Sequence, residues 1–303
     1  MQFRNSTFFA FLLVLCTATP LSAQGLIDGF FSQKGEGSVS LSYIRSSFEE
    51  FYAGEMKMPM VPAHNSIDQD IINVYGTYGI TNNLGVVLNV PYFAARGNGA
   101  ADPVNGLTQV DGLQDISLAL KLRPFSAGIG ENGSLDGILA AGVSVAGNYE
   151  ANGILSIGHG ANTTDLTGGL QYNTGSGLYV TGLFNYSLRG EAENSGTGPD
   201  FDVPNATHLT GKIGYAASKF FVEAWVRNQT TSDEGIDITD ADFGGRFPLT
   251  KVDFTMLGGS VYVPVGSVLG LSASFGTLLD GRNVGGATYF GAGATFNFGG
   301  FTK

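Results

Sequence analysis

Among 303 residues there is one cysteine, Cys16, and it lies in the N-terminal leader. The rest of the chain therefore has no disulfide, no thiolate nucleophile and no cysteine metal ligand. Beyond the leader no apolar run approaches the roughly 18 residues that a spanning helix needs, which excludes a helical inner-membrane protein. Charge is scarce at 14%, and acids dominate: 26 Asp and Glu against 15 Lys and Arg, a formal net charge of −11. Counterion release needs a basic surface, so nucleic acid is not an expected partner. The three histidines, His64, His159 and His208, stand far apart, and no H-E-x-x-H or G-x-S-x-G pattern is present.

What is present begins with a secretory leader. Arg4 is its positive end, Phe8 to Leu15 its apolar run, and Leu21-Ser22-Ala23 its small-residue cleavage site. Leu15 before Cys16 is too bulky for a lipoprotein site. The expected division is a removed signal peptide at 1–23, a segment at 24–35, and one β-domain at 36–303. The segment carries Leu26, Ile27, Phe30 and Phe31. Two readings stay open for it: a plug tucked inside the domain, or a periplasmic tail.

The clearest pattern runs from Asp115 to Arg123. There Asp115, Ser117, Ala119, Lys121 and Arg123 alternate with Ile116, Leu118, Leu120 and Leu122. Successive side chains of a strand point to opposite faces, so one face is aliphatic and the other carries charge. Lipid on one side and a wet lumen on the other would require that. The 46 glycines and 12% aromatic content suit the same reading.

About twelve strands are expected, starting near Gly37–Ser46 and ending near Ala287–Phe298, each about ten residues or longer, as a tilted membrane strand should be. The connections alternate in length. Thr81-Asn82-Asn83, Thr174-Gly175-Ser176, Ala217-Ser218 and Val265-Gly266 are tight turns, and 125–133 is a Gly-rich one; between them lie long polar segments at 47–69, 96–112, 150–162, 190–204 and 230–252. The fold class that follows is all-β: a single transmembrane antiparallel β-barrel with short periplasmic turns and long extracellular loops, in a bacterial outer membrane. Tyr172, Tyr215 and Phe220 near the turns suit an interfacial aromatic girdle.

The residues Tyr75-Gly76-Thr77-Tyr78-Gly79-Ile80-Thr81-Asn82-Asn83-Leu84, followed by Val90-Pro91-Tyr92, resemble the second hairpin of the outer-membrane family named for the MetA pathway of phenol degradation. Gly112-Leu113-Gln114-Asp115 leading to Lys121, and Gly158-His159-Gly160 leading to Asp165, resemble its later signatures, with Gln114 where the family pattern usually has Gly. The resemblance spans about residues 70–189. It implies a barrel with a transport role, often for apolar or aromatic compounds, and supplies no binding residues.

Parity nominates the lumen-lining residues: Asp115, Lys121, Arg123, Asp165, Arg189, Lys212, Glu223, Trp225 and Arg227. A basic residue facing lipid at midplane would cost about 2–4 kcal/mol, so these charges should line water. They would either select a solute or brace the wall; Trp225 would either narrow the pore or simply pack. A two-residue loop at Ala217-Ser218 would pair Lys212 directly with Glu223.

Other motifs read blandly. Gly128-Ile129-Gly130-Glu131-Asn132-Gly133 matches G-x-G-x-x-G, but that motif needs a following helix and 138–145 reads as a strand. His64-Asn65-Ser66 reads as a solvated loop, with outer-membrane hydrolase as the minor alternative. Asp233, Glu234, Asp237, Asp240 and Asp242 lack EF-hand spacing and read as a solvated loop or as a divalent-cation bridge to lipopolysaccharide. No catalytic residue, resident metal or cofactor is expected. The expected partners are the lipid bilayer, lipopolysaccharide and a small solute; the expected function is a channel or transporter, and the alternatives are a closed structural or adhesion barrel and a soluble β-sandwich.

Overall fold

The fold was described from a computed structural model covering residues 25–194 and 198–299. The leader with its Cys16 and cleavage site lies outside the described residues. Twelve antiparallel strands form the wall: β1 (Gly37–Phe48), β2 (Ile67–Gly79), β3 (Leu84–Gly97), β4 (Gln109–Leu113 and Ile116–Leu122), β5 (Gly133–Val145), β6 (Ala161–Asn173), β7 (Leu178–Ala192), β8 (Ala206–Ala216), β9 (Phe221–Thr231), β10 (Asp253–Val265), β11 (Leu269–Arg282) and β12 (Thr288–Phe298). Each pairs with its sequence neighbours, and the sheet closes through β1–β12, from Gly37↔Phe298 to Ser47↔Thr288. A closed sheet leaves no edge to satisfy inside a bilayer.

The side-chain alternation sets which way the wall faces. Leu118, Leu120 and Leu122 of β4, Leu166 and Leu170 of β6, Val180, Phe184 and Leu188 of β7, and Leu209 and Ile213 of β8 all point outward and are exposed, Leu209 and Ile213 at 58% and 57%. Their neighbours Lys121, Thr167, Gln171, Thr181, Ser187, Thr210 and Lys212 point inward and are buried. Such a continuous apolar exterior around a polar interior is the surface a lipid bilayer covers. Tyr172 and Phe220 lie exposed at the turn end, and the Tyr215 and Phe220 rings sit 5.9 Å apart, where an interfacial girdle belongs.

Two details of the sheet depart from the sequence expectation. β4 is broken at Gln114 and Asp115, where the Gln114 N–H reaches the Pro91 carbonyl at 2.9 Å. Pro91 has no N–H to give the ladder, so β3 and β4 cannot pair through that point. The β8–β9 turn spans four residues, because Ala216 pairs with Phe221 and the Ala217 N–H bonds the Phe220 carbonyl at 2.9 Å. This shifts the register by two, so Lys212 faces Trp225 and Gly214 faces Glu223. A shift of two keeps every side chain on its expected face.

The long segments gather at one end. Phe51, Val61, Leu155 and Ile157 from the loops pack with Ile67, Ala95 and Val110 of the strand ends, and a second cluster joins Ala161, Ala192, Phe201 and Val203. His64 belongs to this layer and is fully buried, contrary to the expectation of a solvated loop histidine; its Nε2 lies 3.6 Å from Asp102. The turn 61–65 makes this possible, with positive φ at Ala63 and Asn65 and a side chain pressed against Gly97. A Cβ on Gly97 would come within 2.1 Å of the ring's Nδ1. Ser66 instead accepts from Asn98 at 2.9 Å. The G-x-G-x-x-G stretch forms a short hairpin, Ser126–Ile129 on the start of β5, with no helix after it.

Candidate functional site

The barrel interior holds a cavity of about 490 Å³. Its size falls within the usual range of small-molecule pockets. Every strand of the wall contributes to it, from Ser40 and Ser42 of β1 round to Thr295 of β12. Residues 25–30 close its turn-side end. Ile27 is buried against Val87, Ala119, Ile138 and Leu183, and the Tyr75 hydroxyl donates to the Leu26 carbonyl at 3.1 Å. The Phe30 ring sits edge-on to Tyr179 at 5.0 Å and to Phe221 at 5.7 Å. These contacts hold residues 26–30 against the inner face of the wall.

Six of the nine residues nominated by parity line the cavity: Asp115, Asp165, Arg189, Lys212, Glu223 and Arg227. The other three have different surroundings. Lys121 is buried and anchors the inserted segment, with Nζ 2.7 Å from Asp28 Oδ1, a hydrogen bond to the Phe30 carbonyl, and the Phe31 ring 4.7 Å away. Arg123 lies at the turn end instead of in the cavity, where it bonds the Asn82 carbonyl at 2.7 Å and Asn83 at 3.1 Å. Trp225 is 2% exposed and packs with Ile44 and Tyr289. Its ring lies over Gly258, where a Cβ would approach within 2.2 Å, so it thickens the wall at a place where β10 has no side chain.

The polar interior is mostly self-satisfied. Lys212 Nζ reaches Glu223 Oε1 at 3.4 Å, and the Tyr179 hydroxyl donates to Glu223 Oε2 at 2.6 Å. Thr167 donates to Asn185, which donates to Asp165 Oδ1 at 3.0 Å. Asp115, released from the ladder by the break in β4, accepts from the Tyr149 hydroxyl at 2.5 Å. Burial, with the Arg189 charge acting in the same direction, drives His159 down to about 3. The ring is neutral, and its 3.8 Å approach to Asp115 is not an ion pair.

One chain of contacts has no signal in the sequence. Arg227 Nη2 lies 2.9 Å from His208 Nδ1, His208 Nε2 lies 3.2 Å from Ser187 Oγ, and Ser187 Oγ donates to Asp165 Oδ1 at 2.5 Å. A guanidinium has donors only, so Nδ1 accepts and the neutral ring carries its proton on Nε2. Serine, histidine and aspartate meet here in the wrong order for a nucleophile. The carboxylate binds the serine, and the arginine occupies the nitrogen that an orienting carboxylate would need. The parity of His208 with Lys212 was available in the sequence, but a lone histidine gave no reason to connect it to Ser187.

In the acidic loop, Asp237 is tied to Arg282 and Asn283, with Asn283 Nδ2 2.8 Å from Asp237 Oδ1, while Asp233 and Asp242 stay exposed. No group of His, Cys, Asp and Glu able to hold a metal ion occurs among the described residues.

No curated protein sequence matches the chain. Among solved structures, the COG4313 outer-membrane channel from Pseudomonas putida F1 superposes with a TM-score of 0.70 at 15% identity, over 90% of this chain and all of that one. The translocator domain of the autotransporter NalP from Neisseria meningitidis gives 0.47 at 13% identity over 88% and 90%, and the CymD monoaromatic hydrocarbon channel gives 0.41 at 9% over 93% and 94%. The first of these supports the barrel fold at full length. A family profile described as "Putative MetA-pathway of phenol degradation" matches residues 70–250, so the chain, on more than half its length, belongs to that family.

Proposed function

We propose that the protein is an outer-membrane channel through which a small solute crosses the barrel lumen, with no chemical step, the loop end facing outside and the turn end facing the periplasm. One observation carries this reading: a cavity of about 490 Å³ inside a closed barrel, lined by side chains of every strand and bounded at one end by a segment that is not part of the wall. A barrel built only for structure gains nothing by leaving such a space, since native interiors fill to high density. The solute would be small and partly apolar. Phe30, Tyr75, Leu183 and Phe221 share the lining with the charges, and the P. putida relative is named as a channel. Lipopolysaccharide is the expected neighbour of the loop end.

The test is conductance in planar lipid bilayers. Wild type is expected to give small, stepwise currents. A variant with Ile27→Asp and Phe30→Ala is expected to give larger ones, because the inserted segment loses its apolar seat. Protein that migrates differently when unboiled in mild detergent, yet gives no current in either form, would overturn the channel reading in favour of a closed structural barrel.

A further inference from the structure

The buried cations of the lumen divide into two kinds. Lys121 and Lys212 each have a carboxylate, Asp28 at 2.7 Å and Glu223 at 3.4 Å. Arg189 and Arg227 have none: no carboxylate oxygen lies within 4.0 Å of either guanidinium among the described residues. Each guanidinium offers five N–H donors. Among the described residues the Arg189 guanidinium has one acceptor, the Pro204 carbonyl at 3.2 Å, and that of Arg227 one, His208 Nδ1 at 2.9 Å. The Nε–H of both is buried without any acceptor, an arrangement that native interiors normally avoid.

Each carboxylate nearby has one oxygen bonded to another partner. Asp165 Oδ1 accepts from Asn185 and Ser187, and Asp115 accepts from Tyr149. Both arginines line the same cavity and lie within electrostatic reach of Asp165, and Arg227 within that of Arg189. The register sets them on either side of β8: Arg227 pairs with Thr210, and Arg189 lies two residues beyond Ser187, which bonds the His208 ring that Arg227 also holds. The Nη donors that these two contacts leave over have no acceptor among the described residues.

The geometry points to Arg189 and Arg227 as a recognition site for a small carboxylate with a short apolar body. The inference rests on the lumen being a solute path and names the solute's charged group. A carboxylate matches the planar fork of a guanidinium, which a neutral alcohol or a hydrocarbon does not. The apolar body would extend from them into the cavity that both arginines line.

Trp225 is the only tryptophan in the sequence and lies two residues from Arg227 on the same face, so its emission reports on this region. The folded barrel in detergent is titrated with benzoate and, separately, with benzyl alcohol of similar shape. Saturable emission change with benzoate is expected, at an affinity about tenfold or more above that for benzyl alcohol. Arg189→Gln and Arg227→Gln should each remove that preference by weakening the benzoate response. Arg189→Lys and Arg227→Lys should retain part of it, since charge remains but the fork is lost; they carry the test if a Gln variant does not fold. Equal response to both probes, no response to benzoate, or a preference that survives both Gln variants would mean that water alone fills the donors and would overturn the site. Conductance without a benzoate preference overturns only this site, and a benzoate preference without conductance overturns only the channel.

Discussion

The Lys212–Glu223 pair measures how dry the lumen is. The two side chains are 5% and 4% exposed, they meet at 3.4 Å, and the Tyr179 hydroxyl holds the other carboxylate oxygen at 2.6 Å. If the lumen behaved as bulk water, the pair would contribute about 0–1 kcal/mol and either partner could be removed cheaply. Burial at this level predicts the other regime, in which removing one partner strands a charge and costs about 3–5 kcal/mol. Lys212→Met should be the costlier single change, because Glu223 keeps its charge and only the Tyr179 hydrogen bond. Glu223→Gln leaves Lys212 unpaired, but its amide oxygen can still accept from Tyr179. The double variant should recover much of the loss, giving a coupling of more than about 1 kcal/mol. The assay is urea unfolding of barrel folded into lipid vesicles, followed by emission of Trp225, whose backbone pairs with Lys212. Single variants that each cost less than about 1 kcal/mol and add without coupling would refute the dry-lumen reasoning.

Three further outcomes are expected. Gly258→Ala should destabilise by about 1–3 kcal/mol and shift the Trp225 emission, since the new Cβ would lie 2.2 Å from the indole and 2.4 Å from the Phe275 carbonyl; unchanged emission would contradict the ring's placement. Hydrogen bonding to Arg282 holds the Asp237 carboxyl below its ordinary value; burial opposes it, and Asn283 adds a smaller lowering. That stabilisation is complete above the unfolded carboxylate's pKa and is lost as pH falls through the lower folded value, so proteolysis within 232–252 should rise only below about pH 4, and Asp237→Asn should abolish the dependence. Epitope tags inserted at Gly235 should label intact cells and tags at Gly175 only permeabilised ones; equal labelling would contradict the assigned orientation.

The sequence by itself determined the wall. Side-chain period in a strand is two, so a single row such as Ile116, Leu118, Leu120 and Leu122 against Ser117, Ala119 and Lys121 fixes which face meets lipid, and connection lengths fix which end carries the loops. Even the misjudged β8–β9 turn left Lys212, Glu223 and Arg227 on the inner face, because the register moved by an even number. Tertiary structure decided what fills the interior. Whether residues 25–30 trail away or enter depends on Asp28 reaching Lys121, 93 positions distant, and Phe30 reaching Tyr179 and Phe221. His64 reads as a loop residue until the fold buries it beside Asp102 and Gly97. The unpaired state of Arg189 and Arg227 follows from distances across the lumen between residues that no local pattern relates. Parity is a property of neighbours along one strand, whereas pairing across a cavity depends on closure of the whole sheet, and that is where the candidate site is made.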